Sequence, residues 1–163
     1  MEVSSLSKNS IRFLKATLVI ISLTIIALSV FLLPYAADQS VAMDPAYAYL
    51  KWPVLLGIYS TLIPFFIAIY QSFLLLNLIQ QKAAFSRRSA IHFKTISYCA
   101  QTIIILYVAG AVMLATQSVL HPGIALLGLG IIFASAVIAI FSTVLRKLSQ
   151  QAAAMKSELD LTV

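Results

Sequence analysis

Apolar residues along this chain neither alternate with polar ones nor recur as a stripe at every third or fourth position. They run on without interruption. Four runs reach the roughly 20 residues that a helix needs to cross a bilayer. They extend from Ala16 to Tyr35, from Pro53 to Ile79, from Ile96 to Gln117 and from Gly123 to Leu145, and none contains Asp, Glu, Lys or Arg. Hydrocarbon offers backbone amides no water, so a spanning segment must be a helix or part of a closed barrel. Continuous rather than alternating apolar character selects the helix. The pattern therefore predicts an all-α membrane protein, a bundle of four transmembrane helices at about residues 13–36, 53–80, 87–118 and 122–156.

The polar residues between the runs mark the ends. Asp44-Pro45 breaks the chain after the first helix, and His121-Pro122-Gly123 is a tight turn between the third and fourth. Ser86 is placed to cap a helix that starts at Arg87, which makes the third helix begin well before its apolar run. A cleaved signal peptide competes for the first run, with Lys8, Arg12 and Lys15 as its basic region and Ser40-Val41-Ala42 as a small-residue site. The first apolar run exceeds the usual length of a signal core, which favours a retained helix.

Composition fits lipid as the solvent: 61% of the 163 residues are hydrophobic and 10% charged, with a mean hydropathy of +1.00. A soluble domain carries about a quarter charged residues. Length suits one integral membrane domain over residues 1–163. The net charge of +6 comes from bases that flank the apolar runs, which fits topology and anionic lipid head groups rather than direct binding to nucleic acid. Lys8, Arg12 and Lys15 precede the first helix; Lys82, Arg87, Arg88 and Lys94 separate the second and third; Arg146, Lys147 and Lys156 follow the fourth. Only Lys51 falls on the other side, near Asp38 and Asp44. The positive-inside rule then puts both termini in the cytoplasm of a bacterial inner membrane. Tyr35, Tyr47, Tyr49 and Trp52 cluster at the opposite interface as an aromatic belt.

Chemistry is sparse in the spans. Pro64 lies mid-span and is expected to kink the second helix near Ser60 and Thr61, whose hydroxyls are placed to satisfy freed backbone groups. The kink is either static or a functional hinge. Gln71 and Gln101 are the deepest amides, each expected roughly 10–15 Å from the inner end of its helix. They are read as an interhelical pair, with a substrate path as the sharper alternative. Mid-membrane acids and bases are missing, which argues against a proton-coupled carrier or a voltage sensor. Gly128, Gly130 and Ala134 are candidate packing residues of the fourth helix, for the bundle or for a homo-oligomer. Neither a catalytic set, a metal cluster nor a cofactor motif is present: Cys99 is the single cysteine, and His92 and His121 lie far apart in sequence.

Specificity gathers at the inner side. Arg87, Arg88 and Lys94 form a basic patch beside Phe85 and Phe93, for lipid head groups or for an acidic partner segment. Beyond Arg146 the fourth helix is expected to continue. Leu145, Leu148, Ala152, Met155 and Leu159 recur there at helical spacing as a thin apolar stripe.

Two segments carry a resemblance. One joins Pro64, the leucine-rich run after it, Phe85-Ser86 and the restart at Phe93-Lys94; the other is the ending Glu158-Leu159-Asp160-Leu161-Thr162-Val163. Together they resemble the bacterial YoaS-like family, domain of unknown function 2975, across nearly the whole chain. Leu159 stands where that family more often has Asn. The resemblance brings no established biochemical activity, and the missing catalytic signatures point to a non-enzyme. The resemblance implies a membrane partner or sensor for a small cytoplasmic regulator of helix-turn-helix type, because such a regulator is often encoded beside family members. Arg87, Arg88, Lys94, Glu158, Asp160 and Val163 are then the candidate partner or lipid face. The rivals are a small-solute channel or transporter built on Pro64, Gln71 and Gln101, and an accessory subunit of a larger membrane complex.

Overall fold

The computed structural model describes residues 2–43, 45–81 and 83–161; side chains are described from Lys8 to Glu158, apart from Tyr47. Among these residues every regular element is helical. Helix α1 (Glu2–Ala27) passes through a π-helical turn (Leu28–Leu32) directly into α2 (Leu33–Met43), and the three make one rod. A 3-10 segment (Pro45–Leu50) leads into α3 (Lys51–Gln80), followed by α4 (Arg87–Thr116) and α5 (Pro122–Leu161). Four rods are long and apolar enough to cross a membrane. Expected and observed bounds agree closely for α3 and α4, while the first and last rods run further than the apolar pattern alone indicated.

The caps explain the starts. Ser86 accepts a hydrogen bond from the Ser89 amide at 3.3 Å, and the Ser86 amide donates to Ser89 Oγ at 2.9 Å. This reciprocal box fixes α4 at Arg87 as expected. At the other end of the bundle His121 Nδ1 accepts from the Gly123 amide at 3.1 Å, and Pro122 opens α5 where its missing N–H is harmless. Ser118 turns the chain there with φ of 57°.

Packing follows chain order: α1 lies against α3, α3 against α4 and α4 against α5, with α4–α5 the most extensive contact. Among the described residues, contact between α1 and α5 is marginal at most, so the bundle is open between them there. Its exterior is apolar, with Phe31, Leu127 and Phe133 each more than two-thirds exposed. Water would penalise that surface, whereas lipid tails accept it.

The α4–α5 seam is made of small side chains. On α5, Ser135, Ser142 and Ser149 are buried, and Gly128 faces Tyr107 of α4, whose Cδ1 a β-carbon there would meet at 3.9 Å. These four recur every seven residues, the interval that keeps one face on a neighbouring helix in a left-handed crossing. The α4 side includes Ala90 and Ser97. Small residues let the backbones approach, and hydroxyls then reach across. Ser97 Oγ donates to the Ala139 carbonyl at 3.1 Å and lies 3.0 Å from Thr143 Oγ1. Gly128 thus packs within the bundle as expected, but Gly130 and Ala134 do not. Both are exposed, and a β-carbon on Gly130 would meet open space. Gly130 lies two residues beyond Gly128, about 200° around the helix, so the two cannot share a face.

A π-helical turn, Leu28–Leu32, precedes Pro34. The Leu33 amide donates to the Leu28 carbonyl, five residues back. The carbonyl of Ser29 then has no backbone donor: Leu33 is committed, and the next nitrogen belongs to Pro34, which carries no hydrogen. Tyr59 of α3 supplies the missing bond, its hydroxyl donating to Ser29 O at 2.9 Å. By contrast α3 continues unbroken through Pro64, which is buried. The expected role of Ser60 and Thr61 at the proline is corrected in detail. Their hydroxyls donate to the carbonyls of Gly57 and Ile58, each at 2.7 Å, and not to the Ser60 carbonyl that Pro64 leaves free.

Candidate functional site

The site with the densest polar chemistry lies at the end of the bundle that carries both termini and the α3–α4 turn. There α4 and α5 outrun their apolar stretches. At 1.5 Å per residue the 40 residues of α5 extend roughly 60 Å, twice the hydrocarbon thickness. The two helices stay paired in this extension: Ser89 and Ser149 are both 0% exposed.

Between the paired extensions runs an open groove of about 780 Å³. Its α4 wall is Arg87, Ala90, Ile91 and Lys94, and its α5 wall includes Arg146, Gln150, Ala153 and Ser157. Both sets follow helical periodicity, with intervals of three, four and seven residues, so each wall is one helix face. The groove exists because alanines stand where leucines would fill it. Three cations converge on it, and no carboxylate lines it among the described residues. The Lys94 ammonium also lies 5.6 Å from the Tyr98 ring centroid, a contact that holds it toward the apolar end of the groove.

The structure divides the basic patch read from the sequence. Arg87 and Lys94 enter the groove, while Arg88 is exposed on another face, one residue and therefore about 100° away. Glu158 is exposed beside Ser157, Asp160 belongs to α5 by its backbone alone, and Val163 lies outside the described residues. Sequence reasoning missed Arg146, Gln150 and Ser157 as members of the site. The legible signal was Arg146 on a face with Gln150, Ala153 and Ser157, overlooked because Arg146 was read for topology only.

The expected Gln71–Gln101 pair is not formed. Gln71 Oε1 instead meets His92 Nδ1 across the α3–α4 contact. Gln101 donates from Nε2 to Ser97 Oγ of its own helix at 3.2 Å and is exposed. The register explains the correction. Depth has to be counted from the α4 start at Arg87, which puts Gln101 nine residues, about 13 Å, past His92. The two amides therefore do not converge on a shared space. Among the described residues no group of three His, Cys, Asp or Glu is arranged to hold a metal ion.

Other polar contacts tie the helix ends. Lys15 of α1 donates to Asn77 Oδ1 at 2.7 Å and Gln80 Oε1 at 3.1 Å, both on α3. At the opposite end Tyr49 donates to Gln117 Oε1 at 2.9 Å, and Lys51 pairs with Asp38. Tyr35, Tyr49 and Trp52 are exposed there, consistent with an aromatic interface.

Comparison with known proteins places this architecture. Residues 35–163 match the family described as "Protein of unknown function (DUF2975)". The "Uncharacterized membrane protein YoaS" of Bacillus subtilis (strain 168) is 46% identical over 160 residues, covering 97% of this chain and 100% of that protein. No solved structure matches.

Proposed function

The chain belongs to the DUF2975 family of proteins of unknown function, and from that premise we propose that it is a non-enzymatic protein of the bacterial inner (cytoplasmic) membrane that acts through its basic end. Both termini lie in the cytoplasm in this reading, and the partner is a cytoplasmic regulator of the helix-turn-helix type. One observation carries it: α4 and α5 stay packed beyond their apolar stretches, with Ser89 and Ser149 fully buried. A frayed tail would not bury side chains, and fraying is the ordinary state of a terminus. The extension is therefore a built platform, whereas the opposite end has only short connections.

The platform offers a partner an apolar stripe. Leu148 and Met155, seven residues apart on α5, are 47% and 59% exposed amid Arg146, Lys147 and Lys156. Exposed apolar residues rimmed by charge are characteristic of docking faces. The test is retention of a helix-turn-helix regulator from the same cell on the tagged full-length chain in detergent. The double variant Leu148→Asp/Met155→Asp should lower retention about tenfold or more, the effect of losing contacts worth ~1–2 kcal/mol. Unchanged retention by the variant would refute the proposal.

A second reading, self-association or service as a subunit of a larger complex, is supported by Gly130 and Ala134. They present a small-residue face outward, where another helix can approach closely. Gly130→Leu would then shift the oligomeric state in detergent. The transporter reading loses its main support, because Gln71 and Gln101 are engaged separately.

A further inference from the structure

The groove between α4 and α5 is distinct from the Leu148–Met155 stripe, and its depth, charge and floor select a different ligand. The geometry points to a binding site for the phosphate of an anionic phospholipid headgroup, held by Arg87, Lys94 and Arg146.

Depth is the first argument. The apolar run of α5 ends at Leu145, immediately before Arg146, and that of α4 begins at Ile96, two residues after Lys94. Both cations therefore stand at the hydrocarbon boundary. Arg87 lies seven residues from Lys94, about 10 Å further out along α4. Headgroup and interfacial layers together add roughly 5–8 Å on each side of the hydrocarbon. The cations thus span the depth that lipid phosphates occupy, with Arg87 reaching back over the headgroup from outside.

Charge is the second argument. Three bases from two helices face one space, and none of its described lining residues is acidic. Like charges brought together this way destabilise each other until an anion enters. Guanidinium forks suit phosphate oxygens, which accept paired hydrogen bonds from them. Gln150 and Ser157 add neutral donors for the remaining polar atoms of a headgroup. The floor is the third argument. Ala90, Ala153 and Ala154 lie on the water side of Lys94 and Arg146, and their small side chains leave room there for the part of a headgroup that projects beyond its phosphate. A soluble anion would have no use for cations placed at the hydrocarbon edge.

The experiment measures binding of fluorescent phosphatidylglycerol to the full-length chain in detergent, with phosphatidylcholine and inorganic phosphate as competitors. Each basic residue near an anionic surface contributes enough for about a fivefold effect. Arg146→Gln alone should therefore weaken phosphatidylglycerol binding about fivefold, and the triple variant Arg87→Gln/Lys94→Gln/Arg146→Gln about a hundredfold. Arg88→Gln, off the groove, should leave it unchanged. Ala153→Leu keeps every charge and fills the floor, so it should also weaken binding, and a melting curve on each variant checks that the fold is retained. The inference is overturned if the triple variant binds like the original chain, or if Arg88→Gln weakens binding as much as Arg146→Gln, since attraction would then be diffuse. It is equally overturned if folded Ala153→Leu binds fully, or if inorganic phosphate displaces the lipid as well as phosphatidylglycerol does. None of these outcomes depends on the regulator, so this inference and the proposed partner role stand or fall separately.

Discussion

Tyr59 and Pro34 act on the same carbonyl from opposite directions. Pro34 removes the hydrogen that would satisfy Ser29 O, and Tyr59 supplies one from the neighbouring helix. An orphaned carbonyl in hydrocarbon is unfavourable, and interhelical hydrogen bonds in membranes contribute roughly 0.6–2 kcal/mol. Tyr59→Phe should therefore destabilise the protein by ~1 kcal/mol in an unfolding titration. The same change in a Pro34→Ala background should have little effect, because residue 34 then carries an N–H. Simple additivity of the two substitutions would contradict the account. Prolines were visible in the sequence, but the π turn before Pro34 was not. Pro64 drew attention by its mid-span position, whereas the π turn at Pro34 depends on a tyrosine 25 residues beyond that proline in the chain. Gln71 shows the same limit: its partner is His92, which carries no ligand-like neighbours in sequence.

At the level of elements, α4 and α5 are joined by serines, glycine and alanines rather than by large apolar side chains. Ser149 is fully buried, and its Oγ has no hydrogen-bond partner among the described residues. Removing an unsatisfied hydroxyl is neutral or favourable, while adding bulk to a close seam forces the helices apart. Ser149→Ala should thus leave thermal stability unchanged or slightly raised, and Ser149→Leu should lower it by ~1–3 kcal/mol. If Ser149→Ala destabilises as much as Ser149→Leu, the hydroxyl rather than the small volume holds the seam. The seven-residue recurrence of Gly128, Ser135, Ser142 and Ser149 was present in the sequence all along. Apolar residues between them masked it, since in a membrane helix the hydrophobic pattern no longer distinguishes the packed face from the lipid face.

Across the whole molecule, the bases other than Lys51 gather at one end, and Tyr35, Tyr49 and Trp52 stand exposed at the other. The proposed orientation follows from that asymmetry and is open to a direct measurement. Cys99 is the single cysteine and is buried, so introduced cysteines report without interference. In intact cells a membrane-impermeant maleimide should label Ser118→Cys and leave Gln151→Cys unlabelled until the membrane is opened. The reverse labelling would invert the topology and move the proposed partner and lipid sites to the outer surface. The opening between α1 and α5 belongs to this scale as well. It leaves α5 free along much of its length, including Gly130 and Ala134, where a second helix has room to pack.

The sequence by itself determined the solvent, the number of spans and their ends. Those follow from local quantities: a run of about 20 apolar residues, a serine cap, a proline at a helix start. Only the tertiary structure decided which polar groups meet. It separated Arg88 from Arg87 and Lys94, brought Arg146 to them from another helix, and gave Gln71 to His92 instead of Gln101. The reason is rotation and register. A residue or two along a helix turns a side chain to a different neighbour, and nine residues move it some 13 Å in depth. Lipid accepts every apolar face alike, so the hydrophobic pattern that counts the helices does not orient them.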